Sequence, residues 1–561
     1  MSGYFLEGGV REHAVTAGQL AADLQRAYGA GRPIDVVVGF YEVWRNRLFN
    51  SALYVTLGET IPLVRHVHRK VFLPTYGLFD EERFVERGRD IRAFDTPWGR
   101  AAMLVCEDVW HSLTGSIVAL DGAQLIIVPT APPARGSWPK GDDVPGPAST
   151  SRWERLARDM ADEHGVYVAL VHLVGSEGGK QFPGGAMLAG PKGEVRLRGP
   201  LWEEALVVAT IDLGDVTRAR ADMPLIADLE TMIPHLRDAL EKVDAGAVHL
   251  LAFDGMEAID ATPTAADARA VTPGATVAST LRVVHADAHV APAPLAIDAP
   301  MLEDWLVRFL RDEMSRRGFT QAVVGISGGV DSAVTAYLAA RALGPANVIG
   351  VRLPYRTSSP GSLAHAQLVI EALGIQGRTL DISGAVDGYL SLEPDADAAR
   401  RGNVMARLRM VALFDLSAKH RAIPLGTGNK TERLFGYFTW HADDSPPINP
   451  LGDLFKTQVW ALARHLGVPD VIVGKAPSAD LVVGQTDEGD FGISYPKADE
   501  LLNWMLAGYG EADLVARGFD AAEVALVTRR LSSTHWKRRL PTVAMVSSSA
   551  IGESYLRPVD Y

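Results

Sequence analysis

Six consecutive residues in the C-terminal half have the types and order expected of a site for an anionic ligand. They follow an apolar segment, precede a segment with helical spacing, and read Ser327, Gly328, Gly329, Val330, Asp331 and Ser332. The two glycines allow a tight turn close to a ligand, and the N–H groups that open a helix attract negative charge. Asp331 would repel a bare phosphate, but the two can share a divalent cation. The loop therefore predicts a polyphosphate site with Mg²⁺, the alternative being a glycine-rich turn without a ligand.

A second candidate for chemistry is the single cysteine of the chain, Cys106, which ends a predicted strand. A thiol at a strand-to-loop corner is suited to nucleophilic attack. Its thiolate would need a nearby cation, for which Lys70 is the candidate. The alternative is that Cys106 is a small buried apolar side chain, and a cysteine taken alone favours that interpretation.

The elements that position these residues differ between the two halves. Short apolar segments in the N-terminal half predict strands at 34–38, 51–57, 100–105, 124–128, 166–173, 185–189 and 206–211, with helices at 12–28 and 151–163. The C-terminal half alternates strands at 321–326, 347–353, 378–382 and 422–425 with helices at 332–343, 362–373 and 403–420. This alternation predicts a parallel sheet with helices on both faces, which binds ligands at the carboxyl ends of its strands.

Residues 238–300 are rich in Ala, Asp, Thr and Pro and have weak periodicity, which indicates a connector. We therefore expect an N-terminal domain at 1–237, a connector at 238–299 and a C-terminal domain at 300–561. A chain of 561 residues has the length of two large domains or several small ones.

Composition excludes several classes of function. The net charge of −13 disfavours a general nucleic-acid binder. One cysteine allows neither an intramolecular disulfide nor a cysteine-type zinc site, and it favours a reducing, cytoplasmic compartment. We also expect no membrane span and no signal peptide, because no apolar run is long enough and the first ten residues lack a basic segment followed by an apolar one.

Further motifs follow the anion loop in a fixed order. They read LGTGNKTE at 425–432, NPLGDLFKTQV at 449–459, PSADL at 477–481 and HWKR at 535–538, after the helical segment GNVMARLRM at 402–410. In order and spacing, residues 300–541 resemble the bacterial NAD synthetases, a group of adenylating ATP pyrophosphatases.

The resemblance implies a doubly wound α/β domain of the adenine nucleotide alpha hydrolase-like type, and a reaction. ATP with Mg²⁺ adenylates the carboxylate of nicotinic acid adenine dinucleotide (deamido-NAD), and ammonia displaces AMP to give NAD and pyrophosphate. It implies that residues 327–332, Thr427, Lys456 and Ser478 bind ATP, and that Asp331 and Glu432 bind Mg²⁺. It implies contacts to deamido-NAD from Asn403, Arg407, Glu432, His535 and Lys537. Relatives often have lysine at the position of Trp440, so an ionic contact there is in question.

The N-terminal half carries a second resemblance. Lys70 in the setting KVFLPTYG, then FDEE at 79–82 and CEDVW at 106–110, is similar to the nitrilase-type amidase domain of glutamine-dependent NAD synthetases. The resemblance implies an α-β-β-α sandwich with a Glu–Lys–Cys triad, in which Cys106 attacks glutamine and Lys70 stabilises the oxyanion. Glu81 matches a supporting glutamate, and Tyr76 and Arg135 are candidates for contact with glutamine.

Two departures from the amidase pattern bear on activity. The family's catalytic glutamate lies just before a Gly-Tyr stretch, and this chain opens at Gly3-Tyr4. We therefore expect that the first strand, first helix, second strand and general base are missing, that Met1 is a truncated or misassigned start, and that this form hydrolyses glutamine poorly. The second departure is Thr130-Ala131-Pro132-Pro133, where relatives read Ser-Ala-Ser-Pro with a serine that touches glutamine.

Together these features predict a glutamine-dependent NAD synthetase that acts on small molecules, with neither nucleic acid nor membrane as a partner, and, by resemblance, a homo-oligomer. One alternative is an ammonia-only NAD synthetase with an inactive amidase-like scaffold. Another is a carbon–nitrogen hydrolase fused to a nucleotide-sensing module.

Overall fold

The computed structural model describes residues 10–76, 81–177, 179–244, 291–478 and 486–538. The opening Gly3-Tyr4, residues 77–80 of the predicted amidase motif, most of the predicted connector, and the motif residues 479–485 and 539–541 lie outside these ranges.

The N-terminal half contains two packed sheets. The strands are β1 (Ile34–Trp44), β2 (Arg47–Leu57), β3 (Leu63–Arg69), β4 (Ala93–Thr96), β5 (Gly99–Met103), β6 (Leu125–Thr130), β7 (Tyr167–His172), β8 (Val174–Glu177), β9 (Lys180–Pro183), β10 (Met187–Ala189) and β11 (Val195–Arg198). An antiparallel sheet has the order β1-β2-β3, and a six-stranded sheet has the order β11-β10-β7-β6-β5-β4, in which β5, β6 and β7 are parallel. The strands β8 and β9 form a hairpin.

Helices cover the outer faces of the two sheets. They are α1 (Val10–His13), α2 (Ala17–Tyr28), α3 (Ser112–Leu120), α4 (Ala148–His164) and α5 (Gly214–Asp222). Alternate residues of β2 face opposite layers, as the pleat requires: Leu53 packs with Ala21 of α2, whereas Tyr54 packs with Met103 of the six-stranded sheet. The predicted α-β-β-α sandwich is confirmed.

One predicted strand of this half is wrong. Residues 206–211 are mostly apolar and β-branched, yet within the described residues they join no sheet, and Leu206 is 93% exposed. The apolar pattern also missed β3, because the buried side chains of its inner face are His66 and His68.

The C-terminal half is built on four parallel strands, β12 (Gln321–Gly325), β13 (Val348–Arg352), β14 (Gln376–Thr379) and β15 (Ala422–Leu425), in the order β14-β13-β12-β15. On one face Ala322 and Val324 of β12 pack with the helix Val330–Leu343 (α8), and on the other face Val323 packs with Leu413 of the helix Ala398–His420 (α11). The predicted parallel sheet with helices on both faces is therefore confirmed.

A second part of this half is helical. The helices of the chain from residue 225 onward are α6 (Leu225–Asp244), α7 (Ala299–Arg316), α8 (Val330–Leu343), α9 (Pro360–Leu373), α10 (Ser383–Leu390), α11 (Ala398–His420), α12 (Lys430–Phe435), α13 (Lys456–Leu466), α14 (Asp470–Val473), α15 (Asp487–Phe491), α16 (Tyr495–Leu506), α17 (Glu511–Ala516) and α18 (Ala521–Ser533). Residues 224–244 belong to a separate unit of the chain and consist mainly of helix α6, with Pro234 inside it. None of the described helices is both long and apolar enough to cross a membrane.

Helix α7 contacts the N-terminal half through the β8–β9 hairpin. The Ser176 hydroxyl donates to Glu313 Oε1 at 3.1 Å, and Gln181 Nε2 donates to Asp312 Oδ2 at 3.2 Å. Polar side chains therefore connect the N-terminal half to helix α7 of the C-terminal half.

Candidate functional site

The anion loop lies where β12 ends and α8 begins, as predicted. Gly328 has φ +79°, and a Cβ at this position would lie 2.1 Å from the carbonyl oxygen of Ser362 at the start of α9. The position therefore requires glycine for its backbone conformation and for its close contact. The hydroxyls of Ser327 and Ser332 lie 3.0 Å apart and close the turn between the strand and the helix.

Two carboxylates and a lysine meet beside this loop. The buried Lys456 Nζ lies 2.5 Å from Asp331 Oδ2 and 3.5 Å from Glu432 Oε1. Asn429, which caps helix α12, donates from Nδ2 to the other oxygen of Asp331 at 3.0 Å. The sequence places these residues in three separate motifs, and the carboxyl edge of the parallel sheet brings them together.

Burial gives this cluster unusual ionisation. Burial and the neighbouring Asp331 raise the pKa of Glu432 to about 8. Burial disfavours the charge on Lys456, but Asp331 and Glu432 outweigh it and raise the lysine's pKa. Burial also raises the pKa of Asp487, whose carboxylate accepts a hydrogen bond from Tyr495 at 2.9 Å. The cluster therefore contains more acid than its lysine can neutralise.

A cavity of about 460 Å³ opens above the cluster. Most of the residues predicted to bind ATP or deamido-NAD line it: Ser327, Gly329, Val330, Asp331, Ser332, Thr427, Glu432, Lys456, Ser478 and Lys537. Lys537 donates to the carbonyls of Gly436 at 2.8 Å and Phe438 at 2.9 Å. This lysine thus fastens one wall of the cavity, and its burial lowers its pKa.

Three predicted contacts to the dinucleotide are not among the lining residues. Asn403 accepts a hydrogen bond from Thr439, which does line the cavity, at 2.9 Å. Arg407 donates to the carbonyl of Trp440 at 3.2 Å, and His535 Nδ1 lies 2.6 Å from the carbonyl of Ser532. These side chains contact the cavity wall or the chain behind it.

Sequence reasoning missed two cations of the cavity, Arg409 and Lys475. Arg409 lies two residues beyond Arg407 on the same helix, and a two-residue step turns a helix by about 200°, which places the two side chains on nearly opposite sides. The chain's spacing alone did not distinguish the two arginines. Arg409 lies four residues before the apolar Leu413, which packs on the sheet, so the two share a helical face. That spacing would have favoured Arg409 over Arg407.

The second site surrounds Cys106. This buried residue follows β5, opens a 3₁₀ helix (Cys106–Trp110) and has a positive φ of 48°. Left-handed backbone is strained for a residue other than glycine, and such strain concentrates at functional sites. The observation favours a displayed nucleophile over a small buried apolar side chain.

Lys70 lies at the end of β3 and is only 1% exposed. Its ammonium forms a short ion pair with the buried Glu81, which also accepts a hydrogen bond from Asn50 at 2.5 Å. Burial opposes the charge on Lys70, but Cys106 and Glu81 outweigh it and raise the lysine's pKa. The predicted cation and its supporting glutamate are therefore paired with each other next to the thiol.

A buried aspartate, which sequence reasoning missed, ties these two segments together. Asp108 is fully buried and lies 2.8 Å from His68 Nε2. It accepts backbone N–H bonds from Val71 at 2.9 Å, Phe72 at 3.0 Å and Val105 at 2.9 Å. Burial opposes ionisation, but His68 and the backbone N–H groups of Phe72 and Val105 outweigh it and lower the pKa of Asp108. One carboxylate thus fixes the loop after Lys70 against the turn at Cys106.

The remaining amidase candidates lie further out. Tyr76 is 58% exposed and donates to Glu107 at 2.9 Å, and burial of its hydroxyl and Glu107 raise its pKa to about 12. Arg135 is exposed, and its backbone N–H donates to Ser149 Oγ at 3.1 Å. Glu42, a buried acid of β1 that was not a predicted site residue, accepts bonds from Ser51 at 2.8 Å and Arg69 at 2.7 Å, so both of its oxygens are engaged.

Comparisons with known proteins give two families along the chain. The NAD synthase family matches residues 303–541, and the carbon–nitrogen hydrolase family matches residues 10–221. The NH₃-dependent NAD⁺ synthetase of Chlorobaculum parvum is 47% identical over 262 residues, which is 46% of this chain and 95% of that protein. The protein of the same name from Trichlorobacter lovleyi is 48% identical over the same length, 46% of this chain and 96% of that protein.

Solved structures are similar over both halves. The glutamine-dependent NAD⁺ synthetase from Acinetobacter baumannii has a TM-score of 0.61 at 23% identity, covering 93% of this chain and 83% of that chain. The glutamine-dependent NAD⁺ synthetase from Cytophaga hutchinsonii has a TM-score of 0.57 at 15% identity, covering 90% and 80%. These likenesses concern the fold, and they extend across both sheet systems.

Proposed function

We propose that this chain, which belongs to the NAD synthase family, uses ATP to amidate deamido-NAD to NAD⁺. The nitrogen comes from glutamine. The C-terminal half adenylates the substrate carboxylate and releases pyrophosphate. The N-terminal half hydrolyses glutamine and supplies ammonia, which displaces AMP. The parts are an amidase domain at 1–237, a connector at 238–299 and a synthetase domain at 300–561.

The observation that carries the proposal is the cluster of Asp331, Glu432 and Lys456 beside the anion loop. Adenylation moves negative charge onto the leaving pyrophosphate, and fixed cations with oriented N–H groups stabilise such charge. The loop 327–332 supplies the N–H groups and hydroxyls at the start of α8, and Lys456 supplies a cation. Thr427 and Ser478 line the same cavity and complete the proposed ATP site.

The residues present fit a magnesium ion. The carboxylates of Asp331 and Glu432 already approach a common cation, the Lys456 ammonium, so their oxygens converge. Within the described residues no cluster of three or more ligating side chains forms, and Mg²⁺ with a nucleotide uses one or two carboxylates together with phosphate oxygens. When bound, the ion would neutralise phosphate charge; Asp331 and Glu432 would hold it.

Deamido-NAD would enter the same cavity from the side of Phe438 and Thr439. Lys537 holds this wall through two carbonyls, and Asn403 holds it through Thr439. Arg409 offers a cation inside the cavity, so we assign it in preference to Arg407 as a contact to the substrate's phosphates. Arg407 and His535 then act on the wall, through Trp440 and the end of α18.

In the amidase half, the Cys106 sulfur attacks the amide carbon of glutamine and forms a thioester as the C–N bond breaks. The thiol proton passes to the departing nitrogen, which leaves as ammonia, and we assign no described residue as the base that moves this proton. Water then hydrolyses the thioester to glutamate. Lys70 stabilises the tetrahedral oxyanion, and Glu81 orients Lys70 through their ion pair. Tyr76, with Glu107, and Arg135 would contact the glutamine. The substrates are small molecules, and the family resemblance supports a homo-oligomer.

The test follows NAD⁺ and pyrophosphate in reactions with deamido-NAD, ATP and Mg²⁺, and with either glutamine or ammonium chloride. We expect both products in equal amounts, and neither when deamido-NAD is omitted. Pyrophosphate release independent of deamido-NAD, or none with ammonium, would contradict the synthetase assignment. Synthesis with ammonium but no glutamate formation from glutamine would contradict the amidase assignment alone.

A further inference from the structure

Lys475 is a cation of the synthetase cavity that neither the motifs nor the family resemblance singled out. It follows α14, and its Nζ donates to Ser362 Oγ at 2.8 Å. Ser362 lies in the first turn of α9, and its backbone is the surface on which Gly328 packs. Lys475 therefore sits beside the anion loop, next to the N-termini of α8 and α9.

The other cations of the cavity are already engaged. Lys456 pairs with Asp331 and Glu432, and Lys537 donates to two backbone carbonyls. Arg409 donates from Nε to the carbonyl of Leu353 at 3.2 Å. By contrast, Lys475 donates to the neutral hydroxyl of Ser362. Among the described residues, no carboxylate lies within ion-pairing distance of the Lys475 ammonium. An ammonium has three donors, and Ser362 uses one.

We propose that Lys475 binds the β- and γ-phosphates of ATP and holds the departing pyrophosphate, an inference that rests on the proposed function. The Lys475 ammonium lies in the wall of this cavity and is hydrogen-bonded to Ser362 beside the loop 327–332. Two helix N-termini point their partial positive charge into the same corner. The part of the cavity beside the N-termini of α8 and α9 therefore carries positive charge that no described carboxylate neutralises, and it suits a polyanion.

The step in which Lys475 acts is the adenylation. A carboxylate oxygen of deamido-NAD forms a bond to the α-phosphorus, and the bond from that phosphorus to the bridging oxygen breaks. The electron pair stays on the bridging oxygen, so the leaving pyrophosphate gains negative charge. A cation at the pyrophosphate end stabilises that charge in the transition state and in the product. Lys475 should therefore affect ATP use and pyrophosphate affinity together, and leave glutamine hydrolysis unchanged.

The experiment measures ammonium-driven NAD⁺ synthesis at varied MgATP, and its inhibition by inorganic pyrophosphate, in full-length wild type and Lys475→Met. We expect kcat/KM for ATP to fall and the pyrophosphate inhibition constant to rise, each about 10- to 100-fold, the range for one hydrogen bond to a charged group. Lys475→Arg should recover most of both. The matched control is Lys497→Met, since Lys497 is exposed and pairs with Glu523 at 2.6 Å on the outer surface.

Ser362→Ala separates binding from anchoring, because it removes the acceptor of Lys475 but keeps the ammonium. A phosphate-binding role predicts a smaller loss in Ser362→Ala than in Lys475→Met, because the ammonium is still present in Ser362→Ala. Equal losses in Ser362→Ala and Lys475→Met without recovery in Lys475→Arg, or an unchanged pyrophosphate constant in folded Lys475→Met, would overturn the proposal. A wild type that forms no NAD⁺ from ammonium would instead refute the proposed function. Circular dichroism checks folding, and Lys475→Gln replaces the methionine variant if that protein is unfolded.

Discussion

The two candidate sites each contain a buried lysine beside a glutamate, and they differ in how the charges balance. Lys70 is 1% exposed, and among the described residues its ion pair is with Glu81. Lys456 is 2% exposed but faces Asp331 and Glu432, with Asp487 nearby. The amidase site is therefore balanced as it stands, whereas the synthetase site has surplus acid.

The difference indicates whether each site requires an added cation. Unpaired buried acid is unfavourable, and the protein accommodates it by raising the pKa of Glu432. A divalent cation arriving with ATP would relieve that repulsion, so binding and ionisation are coupled. A balanced lysine–glutamate pair needs no added ion and can act on a neutral amide. The predictions below test whether the two sites are separate in function and different in this respect.

The largest expected effect comes from removing the amidase nucleophile. In Cys106→Ala, the glutamine-driven NAD⁺ synthesis of the wild type, which we expect to be slow, should fall to background, because no other described group is placed to form the thioester. Ammonium-driven synthesis should stay near the wild-type rate, since the thiol lies in the other sheet system. Both rates are measured on the same preparation of each protein. An equal fall with ammonium in a folded variant would mean that Cys106 is structural.

Removing one member of the acidic cluster should affect both nitrogen donors alike. Asp331→Ala and Lys456→Ala should each lower NAD⁺ synthesis by about 10²- to 10³-fold or more, the range for a group that stabilises transition-state charge. Adenylation precedes nitrogen attack, so glutamine and ammonium rates must fall together. The measurement is initial rate with each donor, with Lys497→Met as the control. A variant that retained wild-type rates with ammonium would remove the cluster from the reaction.

A smaller effect is expected from Asp108, which holds the loop after Lys70 against the turn at Cys106. Asp108→Asn keeps the shape but replaces one acceptor oxygen with an N–H donor that faces backbone N–H groups. We expect kcat for glutamine hydrolysis to fall about 10- to 100-fold, as for one lost bond to a buried charge, with little change in KM. Ammonium-driven synthesis serves as the internal control. A change in KM alone would show that Asp108 acts on glutamine binding and does not position the reacting groups.

The residues at these sites differ in how well the sequence predicts them. The loop 327–332 is local, so its strand, turn and helix could be predicted from neighbouring residues, and β12 and α8 lie where expected. Asp108 could not be assigned, because its donors come from β3 and its following loop, some forty residues away, and β3 itself carries histidines on its inner face. Lys475 was missed because only the packing of Ser362 on Gly328 brings it to the loop.

The arginines of α11 and the segment at 206–211 illustrate a second limit. Helical spacing predicted the helix, but a choice between Arg407 and Arg409 depends on which face meets the cavity, which is a tertiary property. Residues 206–211 have a strand-like pattern, but a strand exists only where a partner supplies its ladder, and the described residues provide none. Local preference therefore predicts elements better than it predicts what they contact.

A pH dependence of Mg²⁺ binding follows from the raised pKa of Glu432 and amounts to about one factor of ten per pH unit. Below pH 8 the metal-free site holds a proton on Glu432, and Mg²⁺ must displace it to bind the carboxylate. In the limit of one proton released, the apparent affinity of Mg²⁺ with ATP should rise about tenfold per pH unit between pH 6 and 8, then level off. Isothermal titration calorimetry in two buffers of different ionisation enthalpy measures the proton release directly.

The same ionisation fixes the sign of the stability change. A carboxyl whose pKa is raised on folding binds its proton more tightly in the folded state, so the metal-free protein should lose stability as pH rises from about 4.5 to about 8. Mg²⁺ with ATP should reduce that loss, because it binds the ionised form. In Glu432→Gln both the proton release and this part of the pH dependence should disappear. A substitution of Glu81 in the amidase site should leave both unchanged. Proton release that persisted in Glu432→Gln would assign the coupled proton to another acid of the cluster, and the contrast between the two sites would then rest on Asp331 or Asp487.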